Sequence, residues 1–429
     1  SRMMEVEVGD HNVLLVRCDG VYSAISNQCT HYGAPLSEGV LSGCRVRCPW
    51  HGSCFNVKTG DLEEYPGIDC LPCHKVLCRM WKTLSVQIRG QPKRVKWMGV
   101  RDQSVSHTVM LLGGGAACLM CAETLRQENY GGRIIMVSRD DLLPYDKTRL
   151  SKVMNAESDS LLMRRMDFFH KHDIEVWLKK EALSIDTNKK TVTFDDGLIQ
   201  SYDQILIATG CRAKGLDCPG ANLERVLMLE TPEDARCVHY ACTGCRTVIV
   251  GTSFIGMEVA AYLLDTSSSM TVIGSSELPY QKTLGREIGK VTMTVCDQGN
   301  INIMHISNIC FKMVLLLCLN NWNINVVLIS GVSPNSEFLK GSRVRMDSKN
   351  YVIVDEYMRT NITDVYCAGD LTSFPLKMAK GQKVSLGHWQ IAQAHGRIAA
   401  LNMLCREVEL NTVPYYWTVL FGRTIRYAG

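Results

Sequence analysis

Long apolar runs are missing from this 429-residue chain. The longest uninterrupted one, Met313 to Leu319, falls far short of the roughly 20 residues that cross a bilayer as a helix, so no transmembrane segment is expected. The opening residues, Ser1-Arg2-Met3-Met4, carry no apolar signal region. Neither charge sign is in excess. Lys and Arg number 47 against 43 Asp and Glu, and a net +4 is too slight to argue for nucleic acid or a membrane surface. No internal repeat of short period occurs. The 20 cysteines are scattered through a long chain without a disulfide framework. Mostly free thiols in a reducing, intracellular compartment, cytoplasmic or mitochondrial, are expected. There the sequon Asn361-Ile362-Thr363 carries no meaning.

What the chain does have is a four-residue constellation near its start. Cys29-Thr30-His31 is followed, after 16 residues, by Cys48-Pro49-Trp50-His51. Two Cys and two His in this order are the ligand set of a Rieske [2Fe–2S] centre, in which two thiolates hold one iron and two imidazoles the other. Small residues flank each half, Gly33-Ala34-Pro35 after the first and Gly52-Ser53 after the second, and such loops turn tightly. Zinc is the alternative for the same four residues, but it favours a Cys pair followed by a His pair, whereas each half here mixes the two. Cys29, His31, Cys48 and His51 are therefore the expected metal ligands.

Around them, short runs such as Val13-Leu14-Leu15-Val16, broken by Gly9-Asp10 and Asp19-Gly20, have strand-and-turn spacing. They predict a small antiparallel β domain over 1–89 with its metal loops at one tip. Within it, Cys70-Leu71-Pro72-Cys73-His74 matches a c-type haem attachment pattern, and is read as incidental because a haem would need room beside a packed strand edge. Residues 90–107, with Lys93, Arg94, Lys96 and Arg101, read as a solvated interdomain linker.

Beyond residue 108 the chain twice follows a strand with a glycine-rich turn and a helix, the context that makes such a turn a nucleotide-binding signal. The first copy runs Val109-Met110-Leu111-Leu112, then Gly113-Gly114-Gly115-Ala116, then helix; the second runs Thr247-Val248-Ile249-Val250, then Gly251 to Gly256, then helix. Amide groups of the turn and the helix N-terminus suit a pyrophosphate. Both copies depart from the pattern. Cys118 stands where a glycine allows close helix–strand packing, which should strain the first unit, and Ser253 replaces the middle glycine of the second. Neither following strand ends on the usual ribose-binding acid: one reaches Ser138-Arg139, the other Gly274, where Glu277 is the nearest substitute. Cys242-Thr243-Gly244-Cys245 sits in a loop before a strand and is not read as redox-active. Trp389 opens a helix and serves equally as core or as a stacking partner. Ile301 to Leu328 is short and oddly apolar.

Together these blocks resemble the Rieske-bearing branch of the apoptosis-inducing-factor family. The resemblance covers almost the whole chain and rests most firmly on Cys29 to Leu36, Arg45 to Gly52, Leu143-Pro144-Tyr145-Asp146, Gly256 to Leu263 and His388-Trp389-Gln390. It implies an α/β plus all-β fold: the Rieske domain, then glutathione-reductase-like FAD and NAD(P) domains. The implied division is 1–89 Rieske, 90–107 linker, 108–235 and 351–410 FAD-binding, 236–350 NAD(P)H-binding and abbreviated near 301–328, and 411–429 the start of a truncated C-terminal domain. The resemblance also implies roles. Gly113, Gly115 and Ala116 would face the FAD pyrophosphate, and Lys147 the adenosine half. Lys152 would lie at the isoalloxazine, paired with Glu258. Thr209 and Gly210 would close the flavin site, Asp370 would hold the ribitol, and Trp389 and Trp417 would pack near the ring. Gly251 and Gly256 would meet the phosphates of NADH or NADPH.

The expected activity is oxidoreduction from NAD(P)H through FAD to the [2Fe–2S] cluster, with an unknown final acceptor and a link to apoptosis by resemblance. The competing expectation is a catalytically degraded redox-sensing or interaction protein that keeps the cluster, motivated by Cys118, Ser253 and the 301–328 stretch. With Ala34 and Trp50 where high-potential centres place a stapling disulfide, the cluster is expected in the lower half of the roughly −150 to +300 mV Rieske range. Ser53 is the expected hydrogen-bond donor that tunes it.

Overall fold

A computed structural model describes residues 2–79, 83–88, 93–216, 221–299, 301–305 and 324–429. The N-terminal strands follow from alternation broken by tight turns. Asp19 and Gly20 both take positive φ (51° and 77°), the geometry of a two-residue hairpin turn, and they pair Cys18 with Val21 across it. Met3–Val8, His11–Cys18, Val21–Ser26, Cys73–Arg79 and Thr83–Gln87 make one antiparallel sheet in that order. A second contains Val40–Ser42, Arg45–Arg47, Cys54–Asn56 and Leu62–Glu64. Leu14, Val16, Ile25, Leu36, Val46, Phe55 and Leu71 form the core of this domain. A disulfide between Cys18 and Cys44 ties a strand of the first sheet to the turn before Arg45–Arg47 in the second. The sequence carried no sign of this pairing, and 14 of the described cysteines are free.

The linker is not a solvated tether. Arg94 exchanges backbone hydrogen bonds with Cys70 and pairs with Asp61, Gly99 N–H donates to the Arg126 carbonyl, and Asp102 N–H to that of Gly131. Arg94 and these backbone hydrogen bonds hold the chain against both neighbours. Gln91 and Pro92 lie outside the described residues.

Two parallel sheets follow. In the first, Ile174–Trp177, Arg133–Val137, Thr108–Leu112, Gln204–Ile207 and Val365–Cys367 lie side by side. The second orders Val226–Met228, Ile324–Leu328, Arg246–Val250, Ser269–Gly274 and Asn302–His305. The strands are near-continuous apolar runs because both faces are covered. The second sheet takes in Val226–Met228, ahead of position 236, while Leu339 and Val344 already pack in the first unit's core, ahead of 351. Residues 306–323, most of the stretch expected to be abbreviated, lie outside the described residues.

Cys118 does not strain the first unit. Helix Ala116–Gln127 is regular and Cys118 is fully buried within it. Close approach has moved to another contact: a Cβ on Gly396, in helix Trp389–Met403, would fall 2.1 Å from the Ala117 carbonyl oxygen. In the second unit the close approach stays within the turn, since a Cβ on Gly256 would lie 2.1 Å from the Gly251 oxygen. Ser253 has extended backbone as N-cap of helix Phe254–Leu263, which any residue adopts. Hairpin Tyr415–Leu420 and Arg423–Ala428 closes the described chain, and Leu420 packs in the second unit's core. No helix among the described residues is long and apolar enough to cross a membrane.

Candidate functional site

The two ligand loops are built to one plan. In each, the Cys N–H donates to the carbonyl five residues on, Cys29 to Ala34 and Cys48 to Ser53, both at 2.8 Å. In each, the glycine four residues on donates back to the Cys carbonyl, Gly33 at 2.8 Å and Gly52 at 3.3 Å. Both glycines have φ near +80°, as such a closed loop requires (79° and 81°). The four side chains converge. The Nδ1 atoms of His31 and His51 are 3.0 Å apart, with ring centroids at 4.9 Å. The Cys29 thiol donates to Cys48, which pulls Cys48 down to about 7 and, with burial, raises Cys29 far above the ordinary thiol value.

Both imidazoles stay neutral. Burial, then Lys93, lowers His31 to about 4; burial, then His31 and Arg426, lowers His51 to about 3. Neutral imidazoles beside a readily ionised thiol are what a mixed Cys/His iron site needs. The buried Nε2 of His31 has no partner. These residues fit the cluster. Cys18, Asp19 and Cys44 form another compact Cys/Asp group, but its two sulfurs are bonded to each other and offer no thiolate. The single Ser53 proton is aimed at the Pro66 carbonyl, 2.6 Å away, with the Cys29 sulfur also in reach, so it is shared rather than dedicated to the sulfur as expected.

Across the domain seam, Lys152 Nζ meets Glu258 Oε2 at 2.7 Å, as the sequence led one to expect. Glu258 is buried and fully satisfied: Ser151 Oγ donates to Oε2 at 2.5 Å and Thr418 Oγ1 to Oε1 at 2.8 Å. Strands Thr108–Leu112, Gln204–Ile207 and Val365–Cys367 end side by side, and their following loops carry Gly113, Thr209-Gly210 and Gly369-Asp370. The carboxyl ends of parallel strands are where such sheets bind nucleotides. Thr209 and Asn335 exchange two hydrogen bonds, at 2.7 and 3.0 Å. The Asp370 carboxyl is pushed up by burial and held back by the positive charge of Lys147.

Helix Ala116–Gln127 begins at Gly115 with no side-chain cap, and a Cβ on Gly115 would meet nothing within 4 Å. Orphan amides opening onto free space make a cradle that fits a dinucleotide phosphate. In the second unit, helix Phe254–Leu263 likewise starts uncapped after Gly251. A Cβ at Gly274 would strike the Thr252 side chain at 2.5 Å, and the nearby Glu277 forms an exposed ion pair with Arg286 at 2.7 Å.

The tryptophans have different fates. Trp389 packs against the first unit's core, whereas Trp417 is buried at the seam. Its ring centroid lies 4.8 Å from His51, 6.2 Å from His31 and 5.1 Å from His388. His388 is lowered to about 4, by burial first and then Lys152, and its buried Nδ1 has no partner. The seam also holds residues not singled out from the sequence. Tyr32 stacks on His31 at 3.9 Å and donates its hydroxyl to Asp146 at 2.5 Å; Arg164 joins Asp69 to Glu123. Tyr32 could have been suspected from its place beside a ligand, but Arg164 has no local signal. Two open clefts of about 310 and 210 Å³, both bordered by Tyr65 and Arg397, touch none of the predicted site residues.

Comparison with known proteins matches this arrangement. Residues 107–396 match the family model described as pyridine nucleotide-disulphide oxidoreductase, and residues 1–75 that of the Rieske [2Fe-2S] domain. The whole chain is 40% identical to apoptosis-inducing factor 3 of Mus musculus and 39% to that of Homo sapiens, covering 74% of each. Over 76% of its length it is 28% identical to the benzene 1,2-dioxygenase system ferredoxin–NAD(+) reductase subunit of Pseudomonas putida, of which it covers 81%. Among solved structures, NADH:rubredoxin oxidoreductase from Clostridium acetobutylicum superposes with a TM-score of 0.64 at 26% identity, over 73% of this chain and 79% of that one.

Proposed function

This chain belongs to the pyridine nucleotide-disulphide oxidoreductase family, in its Rieske-bearing apoptosis-inducing-factor 3 branch, and we propose the residues by which it passes electrons from NAD(P)H to its cluster. It is an oxidoreductase with Rieske [2Fe–2S] and FAD/NAD(P) domains. NAD(P)H gives up two electrons as a hydride and a Rieske centre takes one at a time; bound FAD supplies the conversion.

The chain's own groups do the rest. Cys29 and Cys48 hold one iron, His31 and His51 the other. The amides after Gly113 and Gly115, at Ala116, bind the FAD pyrophosphate, with Lys147 supplying countercharge. Asp370 accepts from ribitol hydroxyls, and Thr209-Gly210 closes that side. Lys152 presents a positive charge at the ring edge, and Glu258 holds it there. A buried pair of this kind is costly unless its remaining hydrogen bonds are made, which Ser151 and Thr418 accomplish. Gly251, Gly256 and the helix start after Ser253 take the nucleotide phosphates. Trp417 excludes water between the two halves. Strand Ser269–Gly274 ends at a glycine rather than at an acid, so the donor is written as NAD(P)H.

The observation that carries this reading is the seam itself: one tryptophan touches both cluster histidines on one side and His388 on the other. The test is to mix the loaded protein anaerobically with NADH and with NADPH. Flavin absorbance should bleach with at least one, and the paramagnetic signal of the reduced cluster should follow. No bleaching with either donor defeats the proposal. The 14 free cysteines among the described residues fit a reducing compartment, cytoplasmic or mitochondrial, and the Cys18–Cys44 disulfide counts against one. The two mammalian relatives are named apoptosis-inducing factor 3, and the link to apoptosis rests on that name.

A further inference from the structure

The Rieske domain and the flavoprotein half share a buried ionic contact that does not involve the Lys152–Glu258 pair. Arg164 is its centre, with a side chain 8% exposed. Its Nε and Nη2 grip both oxygens of Glu123, at 2.9 and 3.3 Å. Its Nη1 reaches Asp69 at 2.8 Å, Nη2 reaches the Ile68 carbonyl at 3.2 Å, and the ring of Phe168 lies 4.6 Å beneath. Glu123 belongs to helix Ala116–Gln127, whose N-terminus forms the phosphate cradle. The carbonyl of Asp69 accepts from Thr30 Oγ1 at 2.7 Å, and Thr30 lies between the ligands Cys29 and His31.

The charges sort by domain. Arg164 and Glu123 are both in the flavoprotein half and already neutralise each other. Asp69 is the third charge, and only docking brings it in. A planar fork that spans two carboxylates fixes their relative position in a way a single point charge does not. We propose that Arg164 is a positioning residue: through Asp69 it registers the cluster loops on the flavoprotein half, with the two histidines turned inward to Trp417. The inference rests on the electron path argued above, and other contacts at the seam share its direction, among them Gln393 Nε2 to the Gly67 carbonyl at 2.7 Å.

The test uses the full chain loaded with FAD and cluster. Asp69→Ala removes the carboxylate and its hydrogen bond to Arg164 across the seam and leaves the Arg164–Glu123 pair intact; Arg164→Lys keeps the charge and loses the fork. Flavin reduction by NAD(P)H should keep its rate in both variants, and dithionite should reduce the cluster fully. Cluster reduction driven by NAD(P)H should slow about tenfold or more, the scale on which small misplacements act. Small-angle scattering without nucleotide should show a larger radius of gyration. Slower cluster reduction supports the role, with or without the larger radius; the wild-type rate in both variants overturns it. Should the wild-type cluster itself fail to accept electrons from either nucleotide, the electron path falls. Scattering then decides: an enlarged variant supports the registering role and an unchanged one overturns it.

Discussion

The ring of His51 lies 4.8 Å from the ring of Trp417, tilted 44° against it, although one belongs to the N-terminal domain and the other to the last hairpin. The indole thereby fills the space between a cluster loop and His388. Trp417→Ala should leave NAD(P)H-driven flavin bleaching near its normal rate and slow the appearance of reduced cluster. Trp417→Phe, which keeps an aromatic ring there, should recover most of the loss. Rapid mixing followed by freezing for paramagnetic resonance separates the two steps, and equal rates in all three proteins would defeat the assignment.

Lys152 and Glu258 should behave as a pair under mutation. Lys152→Met strands a buried carboxylate that keeps only its two hydroxyl donors, at a cost of about 3 kcal/mol. Adding Glu258→Gln removes the stranded charge and should restore most of that stability. Flavin reduction should stay slow in both variants, because the positive charge is gone from each. Urea midpoints together with bleaching rates check this; a double variant no more stable than the single one contradicts it.

Ser53 has one proton and two acceptors in reach, Pro66 O and the Cys29 sulfur. A hydrogen bond to a ligand sulfur raises a cluster's reduction potential. Ser53→Ala should therefore lower the potential, and by less than full donation to sulfur would imply. Voltammetry of the loaded chain reads the shift directly, and an unmoved or raised potential rules the role out.

His395 is fully buried, accepts the Gly369 N–H, and is held by burial at about 3, against an ordinary value of 6.5. Because the fold favours its neutral form, its contribution is complete above about pH 6.5 and drains away as pH falls toward about 3. His388, lowered to about 4, acts in the same sense. His395→Gln should give a shallower loss of stability across that interval than the wild type. Denaturant midpoints taken through it, variant beside wild type, test the sign; parallel curves would exclude His395 as a contributor.

What could be read from the sequence was local. Both cluster loops announce themselves because every ligand sits within a few residues of the glycine that shapes its turn. The nucleotide units were visible for the same reason. Contacts between distant segments were not. Cys118 looked like a source of strain because nothing near it in the chain reveals that Gly396, on another helix, provides the close approach instead. The charges of the linker read as solvated because Asp61, the partner of Arg94, lies in a different domain. Arg164 gave no hint at all, since an arginine's role is set by what folds around it. Of the three departures that suggested a degraded enzyme, Cys118 and Ser253 are accommodated without distortion of their helices, and the third, the 301–328 stretch, lies mostly outside the described residues.

The bond between Cys18 and Cys44 changes what the N-terminal domain is before any iron arrives. Many small metal-binding modules have no stable shape until they are loaded. Here the two sheets are sewn together covalently, and each ligand loop is closed by its own backbone hydrogen bonds. The backbone of each ligand loop is thus held by bonds in which iron takes no part.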